Sequence, residues 1–285
     1  MSNVFITGAT GGIGVPTVRM LAGQGHRVFA GVRDRDLAKT FDDLAGVVPV
    51  RVDVTDEASV SEAAETVRDH LGTDPLDAVV NNAGIIVQGP LELVEGAELE
   101  RQLRVNVLGP ATVIRSFLPL LRSGPGRIVN LSAPTARRAV PLMGPISASK
   151  AALESLSVAL RGELAPWGIK VVIVEPTATD TPIFARARAA AEESFERTDP
   201  EVRQLYAPLI AAADQAGAKM ALADPDSIAK VLVTAVTTPR PRTLYTAGRG
   251  AGMLPMIGRL PDPLADALIA RAVGIAGVPI GSSTS

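Results

Sequence analysis

The sequence predicts an α/β fold: one doubly wound parallel sheet of about seven strands with helices on both faces. Three observations predict it. Short apolar runs of strand length alternate with longer stretches of helical spacing along the chain. The runs are apolar without alternation, as strands covered on both faces are. The first run leads straight into a glycine-rich turn, Gly8-Ala9-Thr10-Gly11-Gly12-Ile13-Gly14, that opens a helical pattern.

Val4-Phe5-Ile6 is the first strand, and Val18, Leu21 and Ala22 mark the helix behind the turn. Glycines there let the backbone approach a pyrophosphate, and a helix N-terminus offers it unpaired N–H groups. Residues 27–32 read as the second strand, with Arg33 directly after it. An acidic residue at this place would hold the ribose of NAD, whereas Arg33 suits the 2′-phosphate of NADP. NADP(H) is therefore expected over NAD(H), although Asp34 and Asp36 lie nearby. Residues 48–52 form the third strand, followed by Asp53-Val54, and Asp56 is placed to cap the next helix. Residues 76–80 read as a buried strand that runs into Asn81-Asn82-Ala83-Gly84, small residues that leave room at a strand's carboxyl end.

Helical spacing from Leu99 to Leu121 encloses Asn106, a polar side chain that needs partners in an apolar helix. Residues 126–133 form the fifth strand, 147–165 a helix rich in small residues, and 169–175 the sixth strand. Phe184 to Leu222 is helical, Asp224 and Pro225 open a further helix, and residues 243–246 give a last strand. The whole chain, 1–285, is expected to be one domain. It carries a lid at about 182–222 and an apolar extension at about 250–285.

Composition narrows the chemistry. With no cysteine, disulfides and thiolate chemistry are out, and the cytoplasm is the expected compartment. The two histidines, His26 and His70, have no metal-ligand spacing. A net charge of -2 gives no reason to expect nucleic acid as a partner. No apolar run approaches the ~20 residues of a membrane helix, and the first residues lack the basic and apolar regions of a signal peptide.

These motifs resemble the short-chain dehydrogenase/reductase family, with its Rossmann-type sheet, over residues up to about 250. Thr7-Gly8 to Gly14 is similar to its T-G-x-x-x-G-x-G turn, and Asn81 to Gly84 to its N-N-A-G. The resemblance implies a dinucleotide site of Thr7, Gly8, Thr10, Gly12, Ile13, Gly14, Arg33, Asp53, Val54, Asn81, Ala83, Gly84, Lys150, Pro176, Thr179 and Thr181. It also implies a catalytic Ser, Tyr, Lys and Asn. Lys150 and Asn106 match the last two. Ile146 stands at the Tyr position and Ala133 at the Ser position. Ser132 and Ser147 are each one residue off, which turns their side chains elsewhere.

A positioned general acid contributes ~10²–10⁴-fold, so an aliphatic residue there disables ordinary carbonyl reduction. Three functions follow as expectations. The first is an atypical cyclisation, isomerisation or dehydration of a hydrophobic small molecule, with Lys150, Asn106, Asp180 or Tyr206 as polar helpers. The second is an NADPH-dependent reductase whose donor comes from the lid or the substrate, with Tyr206 and Asp180 as the side chains to test. The third is a non-catalytic partner subunit. The family's habit implies a homodimer or homotetramer. Thr177, where the family has glycine, would crowd a nicotinamide or contact the substrate.

Overall fold

The computed structural model describes residues 1–251 and 260–279. Seven strands form the sheet: β1 (Asn3–Ile6), β2 (Arg27–Val32), β3 (Val47–Arg51), β4 (Ala78–Asn81), β5 (Arg127–Leu131), β6 (Lys170–Pro176) and β7 (Leu244–Ala247). All pairings are parallel, in the order β3-β2-β1-β4-β5-β6-β7. The order reverses between β1 and β4, and a crevice opens at such a switch point.

One face of the sheet packs against α1 (Gly14–Gly23) and α8 (Pro225–Thr237) through Val4, Ile6, Val129, Val172, Leu21 and Leu232. The other face packs against α2 (Glu57–Leu71), α4 (Gly109–Leu121) and α5 (Gly144–Leu164). There Phe5 stacks on Phe117 with ring centroids 4.2 Å apart. Both rings are fully buried, so truncating either to Ala would cost about 3–5 kcal/mol.

The caps follow the sequence. Asp56 accepts from the N–H groups of Ala58 and Ser59, and Asp224 from that of Asp226. Two expected helices are divided. Leu99–Leu121 resolves into α3 (Gly96–Leu103), a π turn (Arg104–Leu108) and α4. The lid resolves into α6 (Ile183–Glu196) and α7 (Pro200–Ala218), because Asp199 caps Glu201 N–H and Pro200 starts a new helix. The last helix among the described residues, α9 (Asp262–Ala272), is held by Arg138, which donates to Asp262 at 2.6 Å and to Leu260 C=O at 2.7 Å. Residues 252–259 and 280–285 of the expected extension lie outside the described residues.

Candidate active site

A cavity of about 2200 Å³ runs along the carboxyl ends of the strands, from Arg33 at one end to the lid at the other. Its middle is built by a latch between β1 and β4. Thr7 Oγ1 accepts the N–H groups of Asn82 and Ala83, both at 3.1 Å. Asn82 Nδ2 donates back to Thr7 C=O at 3.0 Å and Gly8 C=O at 2.9 Å. Thr7 and Asn81 do not line the cavity. Thr7 is this latch, and Asn81 donates to Asn130 at 2.8 Å beneath the sheet end.

The glycine turn is dictated by contact. Gly8 has φ +62°, and a β-carbon on it would lie 2.8 Å from Ala83 Cα. A β-carbon on Gly14 would meet Ala9 C=O at 2.5 Å, so Gly14 serves the turn from below and does not line the cavity. One on Gly12 would lie 2.6 Å from Thr181 Cβ, which draws the loop after β6 over the turn. No side chain caps α1 and no acid sits in its first turn, unlike α2, α7 and α8. The turn, with its bare helix N-terminus, thus fits a pyrophosphate.

At the far end, Gly8, Thr10, Gly12, Ile13, Arg33, Asp53 and Val54 all line the cavity. Asp34 lines it too, but its carboxylate accepts Asp36 N–H at 2.9 Å as a cap. Arg33 is exposed. Asp53 accepts from Thr55 Oγ1 at 2.7 Å. Burial raises its pKa, but these bonds and the charges of Arg33 and Arg51 outweigh burial and hold it below the usual range.

The other end holds the candidate chemistry. Ala133, Ile146, Lys150, Ala83 and Gly84 share the wall, with Pro176, Thr177, Thr179 and Thr181 facing them. Ile146 is 5% exposed. Lys150 Nζ donates to Leu131 C=O at 2.7 Å. Burial lowers its pKa to about 8, against a smaller opposing pull from Glu154.

Asn106 sits in the π turn, fully buried, and does not line the cavity. Its amide closes on the backbone of Ile85. Gln102 assists, accepting Val87 N–H at 2.6 Å and donating to Ser149 Oγ at 3.0 Å. Sequence reading missed Gln102 and Ser149; a Gln four residues before a buried Asn, on the same helix face, was the available signal.

The structure does not bring Tyr206 or Asp180 to the cavity. Tyr206 lies on α7 and donates to Glu92 at 2.7 Å, which raises its pKa. Asp180 is exposed, and its N–H is tied to Ala223 C=O at 2.9 Å. Thr177 is accommodated by Gly248 on the chain after β7, whose missing β-carbon would collide with Thr177 Oγ1. That hydroxyl is buried without a partner. Over the reaction end, Phe195 of α6 covers Gly89, and Leu142, at φ +64°, accepts Gly89 N–H through its carbonyl at 2.7 Å.

One cluster was not anticipated. Glu175 of β6 is 2% exposed and meets Arg137 Nε at 2.6 Å. Glu154 of α5 lies 3.7 Å from the same Nε. Burial, opposed by Arg137 and reinforced by Glu154, pushes the Glu175 pKa up to about 7. A carboxylate directly after the apolar run Val171–Val174, still within the strand, was the signal for it.

Residues 2–192 match the family described as short chain dehydrogenase. The chain is 31% identical to a 3-amino-tetrahydro-pyrrolizinone reductase of Xenorhabdus hominickii, over 87% of each chain. It is 34% identical to retinol dehydrogenase 16 of Mus musculus, covering 93% of this chain and 87% of that one. Among solved structures, a short chain dehydrogenase from Burkholderia cenocepacia in complex with NADP superposes with a TM-score of 0.73. It has 27% identity and covers 95% of this chain and 97% of that one. A 3-ketoacyl-(acyl-carrier-protein) reductase from Brucella melitensis complexed with NADH gives a TM-score of 0.72 at 25% identity, over 88% and 98%. The chain belongs to the short-chain dehydrogenase family, and its sheet is the Rossmann type of that family.

Proposed function

We propose that the protein is an NADP(H)-binding enzyme acting on a hydrophobic small molecule, with Lys150 rather than a tyrosine handling the proton. The reaction is a cyclisation, isomerisation or dehydration without net hydride transfer. The observation that carries this reading is the wall of Ala133, Ile146 and Lys150. Its family hydroxyl positions are aliphatic, and both candidate substitutes, Tyr206 and Asp180, lie elsewhere.

Residues fitted to hold the dinucleotide are the turn at Gly8, Thr10, Gly12 and Ile13, with Arg33, Asp53 and Val54 at the adenine end. Ala83, Gly84, Lys150, Pro176, Thr179 and Thr181 serve the nicotinamide end. Bound there, NADPH supplies hydride-transfer capacity. The chain's own contribution is distinct: Ile85, Ile86, Val140, Leu142, Met143, Ile146, Phe184 and Phe195 enclose an apolar volume that orients the substrate and excludes water. Within it, Lys150 presents an ammonium whose proton is held loosely enough to exchange near neutral pH. Exposed Leu156 and Val158 on α5 suit self-association into a homodimer or homotetramer.

A second reading has its own support. The names of the relatives are those of reductases and dehydrogenases, and an ammonium titrating at about 8 can protonate the alkoxide of a reduced ketone. The test incubates the protein and NADPH with hydrophobic ketones and polyenes, following product by mass spectrometry and cofactor by absorbance. Product without loss of NADPH supports the first reading, and product with stoichiometric loss the second. No product and no NADPH binding would overturn both and leave a partner subunit.

A further inference from the structure

Beneath Lys150, between β5, β6 and α5, lies a polar seam in an otherwise apolar layer. Asn130 Nδ2 donates to Ser157 Oγ of α5 at 2.8 Å, so Ser132, two residues on, faces the same layer. Its hydroxyl is buried and unpartnered, as is Glu154 Oε1. Glu154 is one helical turn from Lys150, on the same face of α5. Glu175 enters from β6, and Arg137 closes the seam from the loop after β5, with its side chain half exposed.

The buried Glu175 and the mostly covered Glu154 thus share one guanidinium. Two like charges so placed do not both ionise easily, and one proton shared between them relieves the repulsion. No ionisable side chain of β5 faces the seam. On the other flank of α5, Arg101 and Arg104 are paired at the surface with Glu98 and Glu100.

We propose that Glu154 and Glu175 form a proton-sharing pair that restores the proton of Lys150, with Arg137 as its fixed counter-charge. Lys150 gives a proton to the substrate oxygen and becomes a neutral amine. The acid pair returns a proton to that amine and becomes two carboxylates beside Arg137. Solvent at the half-exposed Arg137 edge re-protonates the pair. Charge and protons balance over the cycle, and no electron moves. Glu154 and Glu175 act through Lys150 and do not touch the substrate. The proposal rests on the reading of Lys150 as the proton-handling group.

The test needs no substrate. Infrared difference spectra across a pH titration report the C=O stretch of a protonated carboxyl. Nitrogen-15 NMR of labelled lysine reports the Lys150 ammonium. In the wild-type protein a buried carboxyl band is expected to persist at neutral pH and to vanish in the isosteric variants Glu154→Gln and Glu175→Gln. Lys150 is expected to titrate about 1 unit or more lower in Glu154→Gln, which loses the nearby negative charge. It should titrate higher in Glu175→Gln, which removes the carboxyl group that shares the proton of the pair. No band in the wild type, or one Lys150 titration common to all three proteins, would overturn the pair. Should a variant not fold, the wild-type band alone decides. The underlying reading of Lys150 fails separately, if Lys150→Met still converts substrate.

Discussion

Asn106 commits both atoms of its side-chain amide to Ile85: Oδ1 accepts Ile85 N–H at 3.0 Å, and Nδ2 donates to Ile85 C=O at 3.0 Å. The pair fixes the chain as it leaves β4, where it forms the wall of the cavity beside Gly84. In Asn106→Ala the part-buried Ile85 N–H loses its acceptor, at about 1 kcal/mol. Urea unfolding is expected to give a lower midpoint at an unchanged slope. A variant as stable as the wild type would mean that Ile85 finds another acceptor.

Gly12 and Gly14 separate two kinds of damage. In Gly14→Ala the new methyl meets backbone oxygens that cannot yield, so a loss of about 1–3 kcal/mol in stability is expected. In Gly12→Ala the methyl meets the side chain of Thr181, so the fold is retained and NADPH binding weakens. Calorimetric titration should find binding at least ~10-fold weaker in Gly12→Ala, about 1.4 kcal/mol. Recovery in Gly12→Ala/Thr181→Gly would place the clash on Thr181.

Arg33 is the basic side chain that ends β2 at the cavity. Arg33→Ala is expected to weaken NADPH binding by ~10-fold or more while NADH binding changes little, since only the 2′-phosphate loses its partner. Equal losses for both cofactors would assign Arg33 to another part of the molecule.

Ile146→Tyr with Ala133→Ser restores the two hydroxyls at the aliphatic wall. With Lys150 and a bound cofactor in place, NADPH-dependent ketone reduction is expected to rise by ~10²-fold or more. A well-folded double variant that binds NADPH and remains inert would show that the surrounding cavity, not the missing hydroxyls, sets the chemistry.

Stability should dip near neutral pH. Glu175 has its pKa raised from 4.5 to about 7, so the folded state binds more protons in that window and stability falls as pH rises through it. Lys150 has its pKa lowered from 10.5 to about 8, so the unfolded state binds more protons above pH 8 and stability recovers toward 10.5. Thermal scans of Glu175→Gln should lack the first slope, and those of Lys150→Met the second.

The strands, the caps at Asp56 and Asp224 and the glycine turn were legible because each follows from local pattern. Apolar runs mark buried strands, short polar side chains mark helix starts, and a chain with Gly8, Gly12 and Gly14 must come close to something. Tyr206 and Asp180 were not placed correctly by sequence alone, because a helix phase within the lid and one extended residue decide where they point. Glu175 was overlooked at the end of an apolar run, because its partner Arg137 is thirty-eight residues away. Pairings across elements carry no local signal.

The contact between Thr177 and Gly248 ties together two positions that lie far apart in sequence. Gly248 has φ +102°, and a β-carbon there would meet Thr177 Oγ1, Ala223 Cβ and Ile228 Cδ1. A side chain at 248 therefore faces a strained backbone and displaces the threonine that lines the cavity. The cavity wall at Thr177 is thus set partly by a residue outside it, and a change at 248 would be read at the site.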